Sequence, residues 1–189
     1  MDLWLDLLNS DWHDYRGSGR REDRVQVPEW LHRYTTRWKQ SLTGVSESSI
    51  RTELKDLRIL LRGIVDRLAS GRRVPRRLWD RLNDVLAAAP ISRRLVRSPG
   101  GFALDLVPVQ RGIAGMVAEI AASFCRTLAE SEPDRIKVCD NPDCLWVFYD
   151  QSKNRSRRWC ESATGCGLLM KVRRFRGRRK RASARRHGS

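Results

Sequence analysis

Apolar positions recur at helical intervals through most of the chain. Between Ser49 and Ser70, Ile50, Leu54, Leu57, Leu61, Ile64 and Leu68 are spaced four and three residues apart. That is a single stripe on a long helix, and Gly71 is placed to end it. Pro28 suits a first helical turn, and over Pro28 to Gln40 the residues Trp30, Leu31, Tyr34 and Trp38 share roughly one face, which predicts a docking helix with its tryptophans in the core. Pro75 opens another helix with Leu78, Leu82, Val85 and Leu86 on its face, and Pro90 closes it. A helical period returns from Val109 to Glu130 at Ile113, Met116, Val117, Ile120, Phe124 and Leu128, with Pro133 marking the exit. Leu3, Leu5, Leu7 and Leu8 form a short apolar element, followed by a polar, glycine-containing loop from Asp14 to Arg24. One stretch departs from the helical period. Ile91 to Arg97 and Phe102 to Val107 flank Ser98-Pro99-Gly100-Gly101, which reads as a β-hairpin. The expected fold class is mainly α (α+β): a helical body over residues 1–132 with one hairpin, then a small cysteine-bearing module.

Length and composition narrow this picture. At 189 residues with 40% hydrophobic positions, the chain suits one domain plus a small module and can fill one core. No apolar run approaches the roughly 20 residues that span a bilayer, and Met1-Asp2-Leu3-Trp4 lacks a basic secretory start, so no membrane partner and a cytoplasmic location are expected. The formal charge of +16 is unevenly spread: residues 151–189 hold 14 Lys and Arg against one acid, Glu161, leaving residues 1–150 at only +3. A near-neutral body thus carries a strongly basic end.

The cysteines show what that end is built on. Cys139-Asp-Asn-Pro-Asp-Cys144 is followed, fifteen residues on, by Cys160-Glu-Ser-Ala-Thr-Gly-Cys166. In a reducing compartment clustered thiols hold metal more readily than they form disulfides. Zinc takes four thiolates tetrahedrally, and two short cysteine loops brought together by an intervening hairpin can supply them. Four thiolates leave no open coordination position, so a structural Zn2+ on Cys139, Cys144, Cys160 and Cys166 is expected; an iron–sulfur cluster suits the basic flanks and aromatic cover less well. Leu145 to Tyr149 reads as a strand, with Trp146, Phe148, Tyr149 and Trp159 available to cover a site too small for its own core. Cys125 falls on the helical stripe and reads as a small apolar residue.

Basic residues cluster around the second knuckle. Lys153, Arg155, Arg157 and Arg158 precede it, and Lys171, Arg173, Arg174, Arg176, Arg178, Arg179, Lys180 and Arg181 follow. Guanidinium groups fork onto phosphate oxygens, so nucleic acid is the expected partner, with Lys153, Arg155, Arg157, Arg158, Lys171, Arg173, Arg174, Arg178 and Arg179 as contacts. The module is placed at residues 133–181, with a flexible basic tail at 182–189.

The order Cys139…Cys144-x-x-x-Phe148-x-Asp150-x-Ser152…Arg157-Arg158-Trp159-Cys160…Cys166-Gly167…Lys171 resembles the CGNR zinc-finger family. The body, starting with Leu5-Asp6-Leu7-Leu8-Asn9-Ser10, looks like the ABATE domain that precedes that finger. The resemblance implies a bacterial, stress-associated transcription regulator whose finger binds zinc and DNA. Where the family's name calls for Cys-Gly-Asn-Arg, this chain has Cys166-Gly167-Leu168-Leu169. An RNA-binding or ribosome-associated zinc protein is the alternative, in which the finger's aromatics stack on unpaired bases. For the body, a small-molecule effector and self-association through the tryptophan-rich helix are the expectations. Asp6, Asn9, Asp11, His13 and His32 make no complete triad or open metal triad, so no enzymatic activity is expected.

Overall fold

The long stripe becomes α3, Glu47–Ala69, the spine of the molecule in this computed structural model. Residues 2–187 are described except Gln40, Ser41 and Gln110, and for Trp38, Pro108 and residues 180–187 only the backbone is described. Ser46 caps α3 by accepting the Ser49 amide at 3.2 Å. Gly71 ends it with φ +65, a left-handed turn that a side chain disfavours.

Packed on this spine are α1 (Leu3–Leu8), α4 (Arg76–Ala87) and α5 (Ile113–Glu130). Trp4 is fully buried with its ring edge-on to Phe124 at 5.1 Å, and its indole N–H donates to Thr127 Oγ1 at 3.0 Å. The tryptophan-rich segment folds as α2 (Pro28–Thr35) followed by a 3-10 turn over Thr36–Trp38, shorter than the helix expected to reach Gln40, which lies outside the described residues as does the Trp38 side chain. Trp30 and Tyr34 stack at 4.6 Å and, with Leu31, are buried in the core. Core packing therefore consumes the apolar face that had also been considered for self-association.

Two local readings change. The loop expected from Asp14 to Arg24 is closed by a short antiparallel pair, β1 (Asp11–His13) with β2 (Arg21–Asp23), in which Trp12 is the one apolar residue, too little for an alternating signal. The hairpin expected between the two cysteine loops instead encloses the first of them. It is β5 (Ile136–Val138) paired with β6 (Val147–Tyr149), because Cys139 directly follows β5 and Cys144 lies just before β6. The hairpin at 91–107 is present as β3 (Ile91–Ser98) and β4 (Gly101–Pro108), in register from Ile91↔Pro108 to Ser98↔Gly101.

Ile136 and Val147 are buried in the same core as α3 and α5, so the β5–β6 hairpin is shared between the body and the cysteine module. Asn9 adds a polar clamp across the junction: its side-chain amide donates to Val147 O at 2.9 Å and its side-chain oxygen accepts the Val147 amide at 2.8 Å. A side-chain amide here takes the place of a neighbouring strand. Beyond the second knuckle, α6 runs from Cys166 to His187, through six residues that the sequence reading set aside as a tail. No described helix is long and apolar enough to cross a membrane.

Candidate metal centre

Each knuckle is shaped by local turn chemistry. In the first, the Cys139 amide donates to Trp146 O at 2.8 Å, the Cys144 amide to Asn141 O at 2.9 Å, and Leu145 turns the chain with φ +55. Arg62 on α3 donates to the Leu145 carbonyl at 2.8 Å and helps hold that strained turn. In the second, the chain doubles back so closely that a Cβ on Gly167 would lie 2.4 Å from Ser162 O and 2.7 Å from Ser162 Cα, both backbone atoms. Only glycine fits there without moving the loop. The Gly167 amide donates to Glu161 O at 2.8 Å, and α6 begins at Cys166 itself.

These turns bring the four thiols together. The sulfurs of Cys139, Cys144, Cys160 and Cys166 all lie within 4.8 Å of one another, with Cys144–Cys160 at 3.7 Å and Cys160–Cys166 at 3.8 Å. A tetrahedron with metal–sulfur bonds of about 2.3 Å has sulfur–sulfur edges of about 3.8 Å, so these two edges already have the size zinc needs. No disulfide joins them. Hydrogen bonding from the Cys144 and Cys160 thiols favours a thiolate at Cys139 and holds it far down, to about 2, whereas Cys144 is pushed up because its proton is shared with Cys139. Four thiolates gathered this closely would need a cation between them, and Zn2+ is one whose bond length and ligand preference suit the cluster. The centre is a four-cysteine zinc site, closed to substrate and therefore structural.

Around the thiols lies an outer layer in which the expected aromatic cover is joined by polar contacts from Asn141. Asn141, fully buried, donates from Nδ2 to Cys166 Sγ at 3.2 Å and to Tyr15 O at 2.8 Å, tying the metal loop to the β1–β2 turn. Phe148, Trp146, Trp159 and Tyr15 cover the cluster, while Tyr149 packs into the body core instead. Asn141→Ala removes a hydrogen bond to a ligand sulfur, and outer-sphere losses of this kind cost about 10- to 100-fold in metal affinity. Chelator competition measures it; unchanged affinity would deny Asn141 that role.

Asp150 organises the linker to the second knuckle. Burial pushes its carboxyl up, but hydrogen bonds from Lys137, Ser152 and the Arg157 amide outweigh that and hold it far below the ordinary aspartate value. Lys137 Nζ lies 2.7 Å from Oδ2, Ser152 donates its amide at 2.9 Å and its hydroxyl at 2.6 Å to Oδ1, and the Arg157 amide reaches Oδ2 at 3.0 Å. Lys137 also donates to the carbonyls of Arg155 and Arg157, so one carboxylate and one ammonium knot the loop. Asp150 and Ser152 stood in the sequence motif, but the role of Lys137 and Asn141 had no sequence signal.

The basic residues singled out earlier divide into two groups. Arg155 pairs with Glu132 and Asp134, Arg158 with Asp140 at 2.6 Å, and Arg173 with Asp143 at 2.8 Å and the Arg16 carbonyl at 2.9 Å. Arg157 donates to the carbonyls of Trp159 and Cys160 and lies over the Phe148 ring at 5.1 Å. Lys153, Lys171, Arg174, Arg176, Arg178 and Arg179 are exposed and have no carboxylate partner among the described residues; Arg174 lies over Trp159 and Arg179 over Phe175.

Comparison with known families agrees with this geometry. Residues 135–179 match the CGNR zinc finger. Residues 1–131 match ABATE, a family described as a putative stress-induced transcription regulator. No curated protein matches the chain. With a family match over well above half its length, and a folded four-cysteine site where the finger falls, the chain belongs to the ABATE family and carries a CGNR zinc finger.

Proposed function

We propose that this chain is a DNA-binding transcription regulator in which the zinc centre fixes the base of α6 and presents its basic residues to the phosphate backbone. The observation that carries this reading is the asymmetry of α6. Its first residue is a metal ligand, and Arg173 bolts its first turns to Asp143 and Arg16, yet every other residue from Lys171 to Arg179 is exposed. A helix about 10–12 Å across enters a major groove about 12 Å wide, and its lysines and arginines would then lie beside both phosphate rims. Arg155, Arg157, Arg158 and Arg173 act differently in this reading, as braces that shape the module. The aromatics favour duplex over unpaired RNA, since Phe148, Trp146 and Trp159 are spent on covering the thiols. The body needs no catalytic step in this role; it holds the finger through Asn9, Tyr15 and Arg16, the route by which an effector in the body would reach α6.

Titration of zinc-loaded protein against duplex DNA over a range of salt tests the reading. Six exposed charges on phosphates give a log–log slope of about −5, at roughly 0.9 per contact. Replacing Lys171, Arg174 and Arg178 together with alanine is expected to reduce that slope to between about −2 and −3. Failure to bind duplex, or a slope unchanged in the triple variant, would refute the placement, and tighter binding to single-stranded RNA would favour the RNA alternative.

A further inference from the structure

The β3–β4 hairpin has a face that the described residues leave uncovered. In an antiparallel pair the residues directly opposite one another share a face, so Ile91, Arg93, Leu95 and Arg97 of β3 lie on the same side as Phe102, Leu104 and Leu106 of β4. The other face carries Ser92, Arg94, Val96 and Ser98 opposite Val107, Asp105, Ala103 and Gly101. The first face is the apolar one, and it is open: Ile91 is 56% exposed, Leu95 68%, Phe102 68%, Leu104 64% and Leu106 58%. Neither strand packs extensively on another described element. A two-stranded ribbon is marginal in water by itself, so eight-residue strands with such a face need cover.

We propose that this face is the dimer interface, covered by the same face of a second copy of the chain. Size is the first argument. Large apolar side chains offer on the order of 150 to 200 Å² each, and with more than half of it open at five positions the face presents roughly 500 Å² per chain. Two copies then bury about 1,000 Å², the size at which a specific interface begins. The arrangement of charge is the second. The β4 column, Phe102, Leu104 and Leu106, is uninterrupted by charge, whereas both arginines of this face belong to β3. Packing the β4 columns of two copies across a twofold axis puts apolar side chains at the centre and Arg93 and Arg97 at opposite rims, in water. That is the apolar-core, polar-rim order of protein interfaces, achieved with one patch used twice. Arg97 already lies over the Phe102 ring at 5.8 Å, at the turn end of the ribbon. The arrangement is independent of the α6 reading, since it uses no residue of the finger.

Sedimentation equilibrium of the full zinc-loaded chain tests it, with the 21.9 kDa monomer mass as reference. The wild type is expected at twice that mass in the micromolar range. Leu104→Asp places a charge at the centre of the interface and should weaken dimerisation by at least about 100-fold, with helix content unchanged by circular dichroism. Ala103→Asp, its neighbour on the opposite face, should stay dimeric, which separates loss of the interface from loss of the hairpin. A wild type that stays monomeric, including one that binds a different protein through this face, would overturn the proposal. So would a Leu104→Asp variant that remains a dimer.

Discussion

Cys160→Ser, or removal of zinc by a strong chelator, is expected to unfold the two cysteine loops on either side of β6 and release α6, while α1, α3, α4 and α5 stay folded. Zinc binding to small four-ligand modules supplies roughly 10 to 16 kcal/mol of apparent folding free energy. Against that, only Phe148 of the four aromatic residues over the thiols is buried, and Tyr15, Trp146 and Trp159 are partly exposed. Together they stay below the roughly 12 kcal/mol of four fully buried side chains and must also offset the chain entropy of ordering the loops, about 1 to 2 kcal/mol per residue. The metal therefore decides the state of the module. The boundary of the unfolding should not fall at residue 133. Ile136 and Val147 are buried with α3 and α5, and Asn9 holds both polar groups of Val147, so β5 and β6 should stay with the body. Amide exchange reads this directly: residues 140–145 and 150–167 lose protection without metal, and α3, α5 and Val147 keep it. Metal analysis should return about one zinc per wild-type chain and little in the variant. Retained protection in the metal-free protein would mean that the zinc is incidental to the fold.

The second large effect is expected at Asp150, which touches no metal ligand. Asp150→Ala leaves the partly buried Lys137 ammonium and the Ser152 and Arg157 amides without the fully buried carboxylate that all three share. Removing one partner of a fully buried pair costs about 3 to 5 kcal/mol and a surface ion pair about 0 to 1, so with Lys137 partly exposed the loss is expected between them, at about 2 to 3 kcal/mol. Urea unfolding of the zinc-loaded protein at neutral pH measures the loss, and zinc affinity should fall with it, because this loop delivers Cys160. The sign of the pH dependence follows from the lowered carboxyl. Its contribution is complete above the ordinary aspartate value of about 4 and is lost as the pH falls through the lower, folded value. The gap between wild type and Asp150→Ala should therefore be flat from about pH 6 to 8. A loss under about 1 kcal/mol would show the knot to be no stronger than a surface pair.

Much of this protein is written locally. The stripe from Ile50 to Leu68 needs only the helical repeat to be recognised, and α3 contains it. Ser98-Pro99-Gly100-Gly101 between two β-prone runs sets the register of β3 on β4. The ligand set was legible for the same reason: metal chemistry fixes both the residue type and the short loop, and Cys139, Cys144, Cys160 and Cys166 converge as their spacing requires. Segments without such local logic were misread. The β1–β2 pair has Trp12 as its one apolar residue, and a strand after Leu145 says nothing about a partner before Cys139, so the hairpin of the module is expected between the knuckles instead of around the first.

By itself, then, the sequence determined the helical body, the hairpin at 91–107, the four metal ligands and the basic end, because repeat, turn and coordination chemistry act over a few residues. Only the tertiary structure decided which arginines are braced by Glu132, Asp134, Asp140 and Asp143 and which have no carboxylate partner among the described residues, that Asn9 reaches Val147 across 138 residues, that the tryptophan face of α2 is consumed by the core, and that the described residues leave the apolar face of β3–β4 open. The reason is physical. Burial and pairing depend on what else arrives at the same place, and a one-dimensional pattern shows that a face is apolar without showing what will cover it.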